Sequence, residues 1–365
     1  MHWLPVILIL PYVFILLKIY RNLLRIKTFN VSTGPTTFVS VVVACRNEQG
    51  NLPLLLNSIA GQDYPKDLFE VIIVDDNSTD KTYEIASGFT GFGNIIAINN
   101  KGKGKKQAVR NGINASSGIL IITTDADCRM GKRWIRTIAA FYEIHKPDMI
   151  ICPVQIESGP GFFGRFQELE FLSLQGITAG SALSGKGTMC NGANLSFTRE
   201  AYLNNMDNLH SEIASGDDIF LLHSLKKKVL SKILWLESPY AVVTAASSPT
   251  VGSFLKQRKR WISKVKAFND RFTILLGIVT FVTIILEVSV LIGALIYPAF
   301  IAVFITLFLI KSIPDLMILM NTSGRYGKRE LMNWFLPAQI VYPFYVLCVV
   351  CYSLIPHLRK KLDPH

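Results

Sequence analysis

"GILIITTDADC", residues 118–128, decides how this chain is read. Its first half is an unbroken apolar, β-branched run, the pattern of a strand buried on both faces. Its second half sets Asp125 and Asp127 just past that strand. Residues two apart in extended backbone point the same way, so both carboxylates can face one site. The construction recurs upstream. "FVSVVVAC" (38–45) is followed by Arg46 and Glu48, and "FEVIIVDDNSTD" (69–80) runs into Asp75 and Asp76. "NIIAIN" (94–99) reads as a shorter strand before the basic loop "KGKGKK" (101–106). Helix-like stretches separate these runs, among them "KTYEIASGF" and "KKQAVRNGINAS". Such alternation predicts an α/β domain with a parallel, doubly wound sheet. Ligands bind such sheets beyond the carboxyl ends of the strands, where these polar residues collect.

Past residue 150 the alternation weakens. Residues 166–184 read as helix and 187–200 as loop and strand. "SGDDIFLLHSLKKK" (215–228) opens a helix, with Ser215 or Asp217 as the expected cap. This second half is read as an acceptor side rather than further nucleotide sheet.

The chain has 365 residues, half of them hydrophobic, and the apolar excess sits at its two ends. Trp3–Leu17 carries no charge, and three more apolar blocks cover 272–296, 297–320 and 334–356. Each approaches the roughly 20 residues a helix needs to cross a bilayer. The expected organisation is an N-terminal transmembrane anchor with basic flank (1–27), a water-facing domain (35–270), a C-terminal transmembrane region (272–356) and a basic tail (357–365). A cleaved signal peptide fits less well, because the charges Lys18, Arg21, Arg25 and Lys27 follow the apolar run instead of preceding it. Those charges place the central domain in the cytoplasm by the positive-inside rule. The last block is flanked by Arg325, Lys328 and Arg329 on one side and Arg359, Lys360 and Lys361 on the other, so at least one flank violates the rule or lies at the interface. Within the apolar region, Lys311 and Asp315 are expected at an interface near Pro314, and Glu287 against a helix partner or an acceptor headgroup.

The formal charge of +12 comes without zinc-finger spacing, RNA-binding motif or aromatic–basic alternation, which argues against a nucleic-acid partner. It is assigned to lipid headgroups and a phosphorylated substrate. Of the six cysteines only Cys348 and Cys351 have CxxC spacing. They lie in an apolar span without acidic or His neighbours and are expected as buried thiols, not metal ligands.

Several short stretches have both a chemical and a bland reading. Asp125 and Asp127 are hard oxygen ligands suited to Mg²⁺ or Mn²⁺ that keeps water and substrate phosphates. "VDDNSTD" is either a strand-ending turn or a carboxylate for a base or sugar hydroxyl. "KGKGKK" is either a flexible loop or a set of lysines for a diphosphate. "GDD" (216–218) is either a helix start or the site of a general base. "QRKRW" (257–261) offers cations for a departing diphosphate and an indole for a sugar or the membrane interface. No Walker, dinucleotide or nucleophile-elbow pattern is present.

In order, "VVVACRNEQGNL", "VDDNSTD", "GKKQAVRNGI", "TTDADC", "NGANLSF", "SGDDIFLL" and "QRKRW" resemble the inverting family 2 glycosyltransferases of the GT-A fold. The resemblance covers roughly 38–261 and points to the membrane branch that holds polysaccharide synthases and ceramide glucosyltransferases. It implies a Rossmann-like GT-A domain in the cytosol with transmembrane helices at both ends. It also implies a nucleotide-sugar donor, Mg²⁺ or Mn²⁺, and a membrane lipid or lipid-linked acceptor. Asp76 would hold the base with Asp75 beside it, Arg46, Glu48 and Lys105 would lie near the donor, Asp125 would contact its sugar, and Asp127 would hold the metal. Asp218 would be the general base, with Asp217 standing where many relatives have Glu. Gln257, Arg260 and Trp261 would sit over the diphosphate and acceptor entry. Four apolar segments are few for a polymer exporter, which favours transfer of one sugar over processive synthesis, and the presence of every expected acid favours either over a catalytically inactive membrane scaffold of the same fold.

Overall fold

The computed structural model describes residues 2–31, 34–210, 213 and 215–354; the basic tail lies outside them. In chain order the elements begin with α1 (Leu4–Leu8) and α2 (Leu10–Arg25), then β1 (Val39–Cys45), α3 (Leu52–Ala60), β2 (Phe69–Asp75), α4 (Thr82–Gly88) and β3 (Ile95–Asn99). There follow α5 (Lys105–Ala115), β4 (Leu120–Asp125), β5 (Arg129–Met130), α6 (Trp134–His145), β6 (Met149–Ile151), β7 (Val154–Glu157), α7 (Phe162–Ala182), β8 (Leu195–Thr198) and α8 (Arg199–Leu203). The chain continues through α9 (Asp217–Lys226), β9 (Ile233–Trp235), β10 (Val243–Ala246) and α10 (Val251–Ile262) to three long helices: α11 (Arg271–Ile296), α12 (Ala299–Arg325) and α13 (Phe335–Leu354). These elements form two compact units, one of residues 26–157 and 182–246, the other of 1–25, 158–181 and 247 onward.

The first unit is built on a seven-stranded sheet of order β3-β2-β1-β4-β8-β6-β9. β1 pairs in parallel with β2 and with β4, and β2 with β3, so the four strands expected from the sequence form one parallel half. β8 runs antiparallel between β4 and β6, the change of direction that ends the strand–helix alternation. A three-stranded sheet, β5-β10-β7, accompanies it. Every residue of β2 is buried, as a strand covered on both faces requires. α5 lies so close to the sheet that a Cβ on Gly112 would come within 2.5 Å of Val42 Cγ1. Only glycine fits there.

The second unit holds four helical stretches long and apolar enough to cross a membrane: Leu4–Arg25, Arg271–Ile296, Ala299–Arg325 and Arg329–Leu354. The first continues beyond the uncharged run, through Lys18 and Arg21. α12 passes uninterrupted through Pro314, a residue neighbouring helices can accommodate in an apolar bundle. One apolar cluster joins Ile9, Val290, Val303 and Leu307; a second joins Phe166, Leu169 and Leu172 of α7 to Phe254, Leu319 and Leu331.

Three expectations are corrected here. Lys311 does not lie at an interface near Pro314: it is 1% exposed, between Glu287 of α11, Gln339 of α13 and Asp315 of its own helix. Cys348 and Cys351 are exposed on α13, not buried. α9 is capped neither by Ser215 nor by Asp217. Its N-cap is Gly216 in the left-handed region (φ 104°), and Asp217 is the first helical residue.

Candidate active site

The carboxyl ends of β1, β2 and β4 bring several predicted residues to one side of the parallel half-sheet, as its register dictates: Cys45 pairs with Asp75, and Ala44 with Asp125. Much of the polar sequence there holds the loops together. Asn47, left-handed at φ 56°, accepts from Thr79 N at 2.8 Å, while Asn47 N donates to Ser78 Oγ and Glu48 N to Thr82 Oγ1. Glu48 Oε2 accepts from Asn51 Nδ2 at the start of α3. Arg46 is exposed beside this lacing.

Asp75 and Asp76 are both buried, at 4% and 6% exposure. Asp76 Oδ1 accepts from Asn100 Nδ2 at 2.6 Å, and both its oxygens accept from Gly104 N at 2.9 and 3.0 Å. It thereby fixes the loop that delivers Lys105 at the first position of α5. Asp75 Oδ2 accepts from Ser78 N at 3.0 Å, and its Oδ1 is buried without a hydrogen bond.

Lys105 Nζ lies 2.5 Å from Asp125 Oδ1. Partial desolvation of the half-exposed Lys105 side chain draws its pKa down, but Asp125, with Asp217 and Asp218 behind it, outweighs that and raises it, so the ammonium persists. Asp127 is exposed at its tip. Its carboxyl is nevertheless held above the usual range, first by partial desolvation and then by Asp125 and Glu48, with Lys105 opposing. Lys106, absent from the sequence-based site, turns the other way: Nζ donates to the carbonyls of Leu209 and His210 and lies 5.3 Å from the Phe220 ring centroid. It ties the start of α5 to the approach to α9. Its only advance signal is membership of "KGKGKK".

Asp217 and Asp218 sit in the first turn of α9, where the helix dipole favours negative charge. Asp218 Oδ2 accepts from Gly192 N at 3.1 Å, and Oδ1 from Ile219 N at 2.8 Å. Asp217 is pushed up to about 6 by desolvation and then by Asp218, with Lys105 opposing. Gly192 belongs to "NGANLSF", whose Asn194 is a fully buried brace: it accepts from Trp134 Nε1 and donates to the carbonyls of Pro153 and Ala241.

The donor set fits a divalent cation. The Asp125 carboxylate disfavours the charge of Asp127, and a hard cation relieves that. Among the described residues no three His, Cys, Asp or Glu side chains gather around one point. The pair therefore suits a metal that draws its other ligands from water and substrate phosphates.

In the other unit, α10 carries Gln257, Arg258, Arg260 and Trp261. Arg258 is withdrawn from any anion: it is 3% exposed, with Nη2 2.5 Å from Glu170 Oε2 and Nε 3.1 Å from Oε1. Its guanidinium lies 4.4 Å from the Phe254 ring and 4.1 Å from that of Trp261. Nη1 donates to Gln257 Oε1 at 2.6 Å. Of the two arginines, Arg260 is the exposed one.

Residues 40–205 match the family model "Glycosyl transferase family 2". A poly-beta-1,6-N-acetyl-D-glucosamine synthase of Staphylococcus epidermidis is 26% identical over 262 residues, 68% of this chain and 59% of that one. A beta-monoglucosyldiacylglycerol synthase of Nostoc sp. is 27% identical over 117 residues, 31% of this chain and 25% of that one. The chain spans about a third or less of the length of the first curated relatives it matches. A mannosyltransferase of Pyrobaculum calidifontis, solved with GDP-Man and Mn²⁺, superposes with a TM-score of 0.55 at 14% identity, covering 93% of this chain and 98% of that one. That likeness is one of fold, and the fold is GT-A.

Proposed function

We propose that this member of glycosyl transferase family 2 is a membrane-bound enzyme that moves one sugar from a nucleotide-diphosphate sugar to a hydroxyl of a membrane lipid or lipid-linked acceptor. The observation that carries the reading is the gathering of Lys105, Asp125, Asp217 and Asp218 into one interacting group beyond the parallel strands. A nucleotide-diphosphate donor meets this group at Asp125 and Asp127, and the base is assigned to Asp76 with Asp75 beside it, where Asp75 Oδ1 is buried without a hydrogen bond. Asp127 with Asp125 would hold Mg²⁺ or Mn²⁺, which when bound supplies positive charge to the leaving diphosphate.

The acceptor oxygen attacks the anomeric carbon as the bond from that carbon to the diphosphate oxygen breaks. The acceptor proton passes to the Asp217–Asp218 pair, with Asp218 the proposed base, and the configuration inverts. Asp217, at about 6, keeps the pair near neutral pH, where a general base works best. Lys105 orients Asp125. Gln257, Arg260 and Trp261 are assigned to the diphosphate and the acceptor, as the family resemblance implies. The four apolar helices support a location in a cell or inner membrane, and the basic residues that flank them support a catalytic domain facing the cytoplasm.

A lipid acceptor is supported by these helices and by the name of the Nostoc relative. The synthase relative, matching over most of the chain, supports a second reading, processive polymer synthesis. The test offers the purified chain UDP- and GDP-sugars, Mn²⁺ and a total membrane lipid extract, and reads products by mass, with Asp218→Asn as control. One hexose-sized increment on a lipid is expected. A ladder of increments would replace the first reading by the second, and no transfer to anything would sink both.

A further inference from the structure

The turn that joins α9 to β9 carries a feature that neither folding nor the transfer reaction explains. Lys227 N and Lys228 N donate to the carbonyls of Ser224 and Leu225, and Ser231 N donates back to Lys228 O at 3.1 Å. The chain therefore leaves α9 through a hydrogen-bonded turn with Val229 and Leu230 at its two central positions. Such positions favour Gly, Pro, Asn, Asp and Ser. Here they hold two adjacent aliphatic side chains, 100% and 95% exposed, the most exposed large hydrophobics among the described residues. Exposed apolar residues scattered singly need no explanation. A pair raised together on a fixed turn adds nothing to a core and needs one.

Its surroundings are basic. Lys227, Lys228 and Lys232 are exposed along the turn and its exit, and Lys146 is exposed at the end of α6. The same end of α6 holds the turn at its base, where Lys232 Nζ donates to His145 O at 2.6 Å and Lys232 N to Asp148 Oδ2 at 2.7 Å. The carboxylates of this region are engaged: Asp148 by that N–H, and Glu143 Oε1 by Thr36 N and Thr37 N at 2.7 and 2.8 Å. An aliphatic tip ringed by lysines matches an anionic lipid surface, which offers phosphates outside and hydrocarbon just beneath.

The chain itself brings such a surface near. The apolar α2 ends at Arg25, and four residues later Phe29 N donates to Glu237 O at 2.7 Å. Four residues reach about 14 Å at most. The Phe29 ring rests 5.1 Å from that of Phe141 and 6.2 Å from that of His145, the residue whose carbonyl holds Lys232. The base of the turn is thus tied to the point where the chain arrives from its first apolar helix.

We infer that the 227–232 turn docks on the anionic lipid surface from which α2 emerges. Val229 and Leu230 enter the edge of the hydrocarbon, and the lysines pair with headgroup phosphates. The inference rests on the membrane reading of the apolar helices and adds a contact made by the catalytic domain itself.

The test places the full chain in nanodiscs of dioleoylphosphatidylcholine, with or without phosphatidylglycerol. A diazirine-bearing aliphatic amino acid stands at Leu230 or, in a second preparation, at Ile285, which is midway along α11 and 41% exposed. After irradiation, adducts are identified by mass spectrometry. The Ile285 probe should capture lipid in both discs. The Leu230 probe should capture lipid with phosphatidylglycerol present and about fivefold less, or lower still, without it, the weight of one lysine near an anionic surface. Lys227→Glu combined with Lys228→Glu should cause at least that loss at Leu230 and none at Ile285, with nucleotide binding in the same discs as the check on folding. Lipid capture at Ile285 alone overturns the docking and leaves the membrane reading standing. So do adducts from Leu230 to a second copy of the chain, or lipid capture at Leu230 that ignores phosphatidylglycerol. Capture at neither site overturns both.

Discussion

Arg258 and Arg260 are two residues apart and chemically identical, yet the structure assigns them opposite fates. Arg258→Met removes the cation from a pair whose side chains are 4% and 8% exposed and leaves Glu170 with the Tyr345 hydroxyl, 3.1 Å away, as its remaining donor. Breaking a buried pair from one side costs about 3–5 kcal/mol. Losing the guanidinium above Phe254 and Trp261 adds roughly 0.5–2 kcal/mol, partly recovered by the methionine stem. At ~2 °C per kcal/mol, thermal unfolding of the detergent-solubilised chain should fall by about 6–10 °C. Glu170→Leu combined with Arg258→Met removes both charges, and replacing a whole buried pair by apolar groups is close to neutral. The double variant should therefore unfold within about 3 °C of the parent. Arg260→Ala, at an exposed position, should shift stability by less than ~0.5 kcal/mol. It should nonetheless lower transfer by about 100-fold or more if it stabilises the leaving diphosphate. The reasoning fails if Arg258→Met alone unfolds with the parent, or if the double variant is as damaged as either single one.

Four further outcomes are expected. Asp217 is raised to about 6 from 3.8, so kcat/KM should climb with pH through an acid limb near 6, and Asp217→Asn should move that limb lower; a limb that stays in place removes the pair from base catalysis. Stability runs the other way: the folded state holds the extra proton between those values, so the Asp217 contribution declines as pH rises through that window, measurable by denaturant titration. Asp76→Ala deprives Asn100 and Gly104 of their acceptor and should cost about 1–3 kcal/mol while raising the donor KM; an unchanged KM would separate the loop from donor binding. Chelation should abolish transfer and Mn²⁺ restore it, with Asp127→Asn needing about tenfold more metal or greater; a wild-type metal titration in that variant would dismiss Asp127 as a ligand.

The parallel half of the sheet was readable because β1, β2 and β4 are buried on both faces, and an unbroken β-branched run of that length suits little besides a covered strand. The insertion of β8 between β4 and β6 was not, since strand order and direction depend on distant pairings that a four-residue segment does not encode. The fate of Arg258 was legible in retrospect. Phe254, Arg258 and Trp261 fall at i, i+4 and i+7 on one face of α10, and Arg260 falls off it. Lys311 and Asp315 share a helix face in the same way, but Pro314 between them argues for a break, and tertiary packing overrode that local signal. Gly216 shows the converse. A good capping residue on either side lost to the one position where a left-handed φ costs nothing.

Motif membership also concealed a division of labour. In "VDDNSTD" and "RNEQGN", Asn47 spends its hydrogen bonds on Ser78 and Thr79, Asp80 accepts from Thr82 just beyond, and Asp76 spends its own on the lysine loop. What remains for a ligand is strongly acidic. Asp125 acts on Asp127 and Asp218 on Asp217, while Lys105, the cation that both pairs share, already rests on Asp125. A nucleotide diphosphate brings further negative charge, so these residues by themselves would repel the donor assigned to them. The conflict is resolved if the donor arrives with a divalent cation that Asp127 can share. Desolvation first, and then the charges of Asp125 and Glu48, raise the Asp127 carboxyl, and under the proposed function that acidity would select a metal-bound diphosphate over a free one.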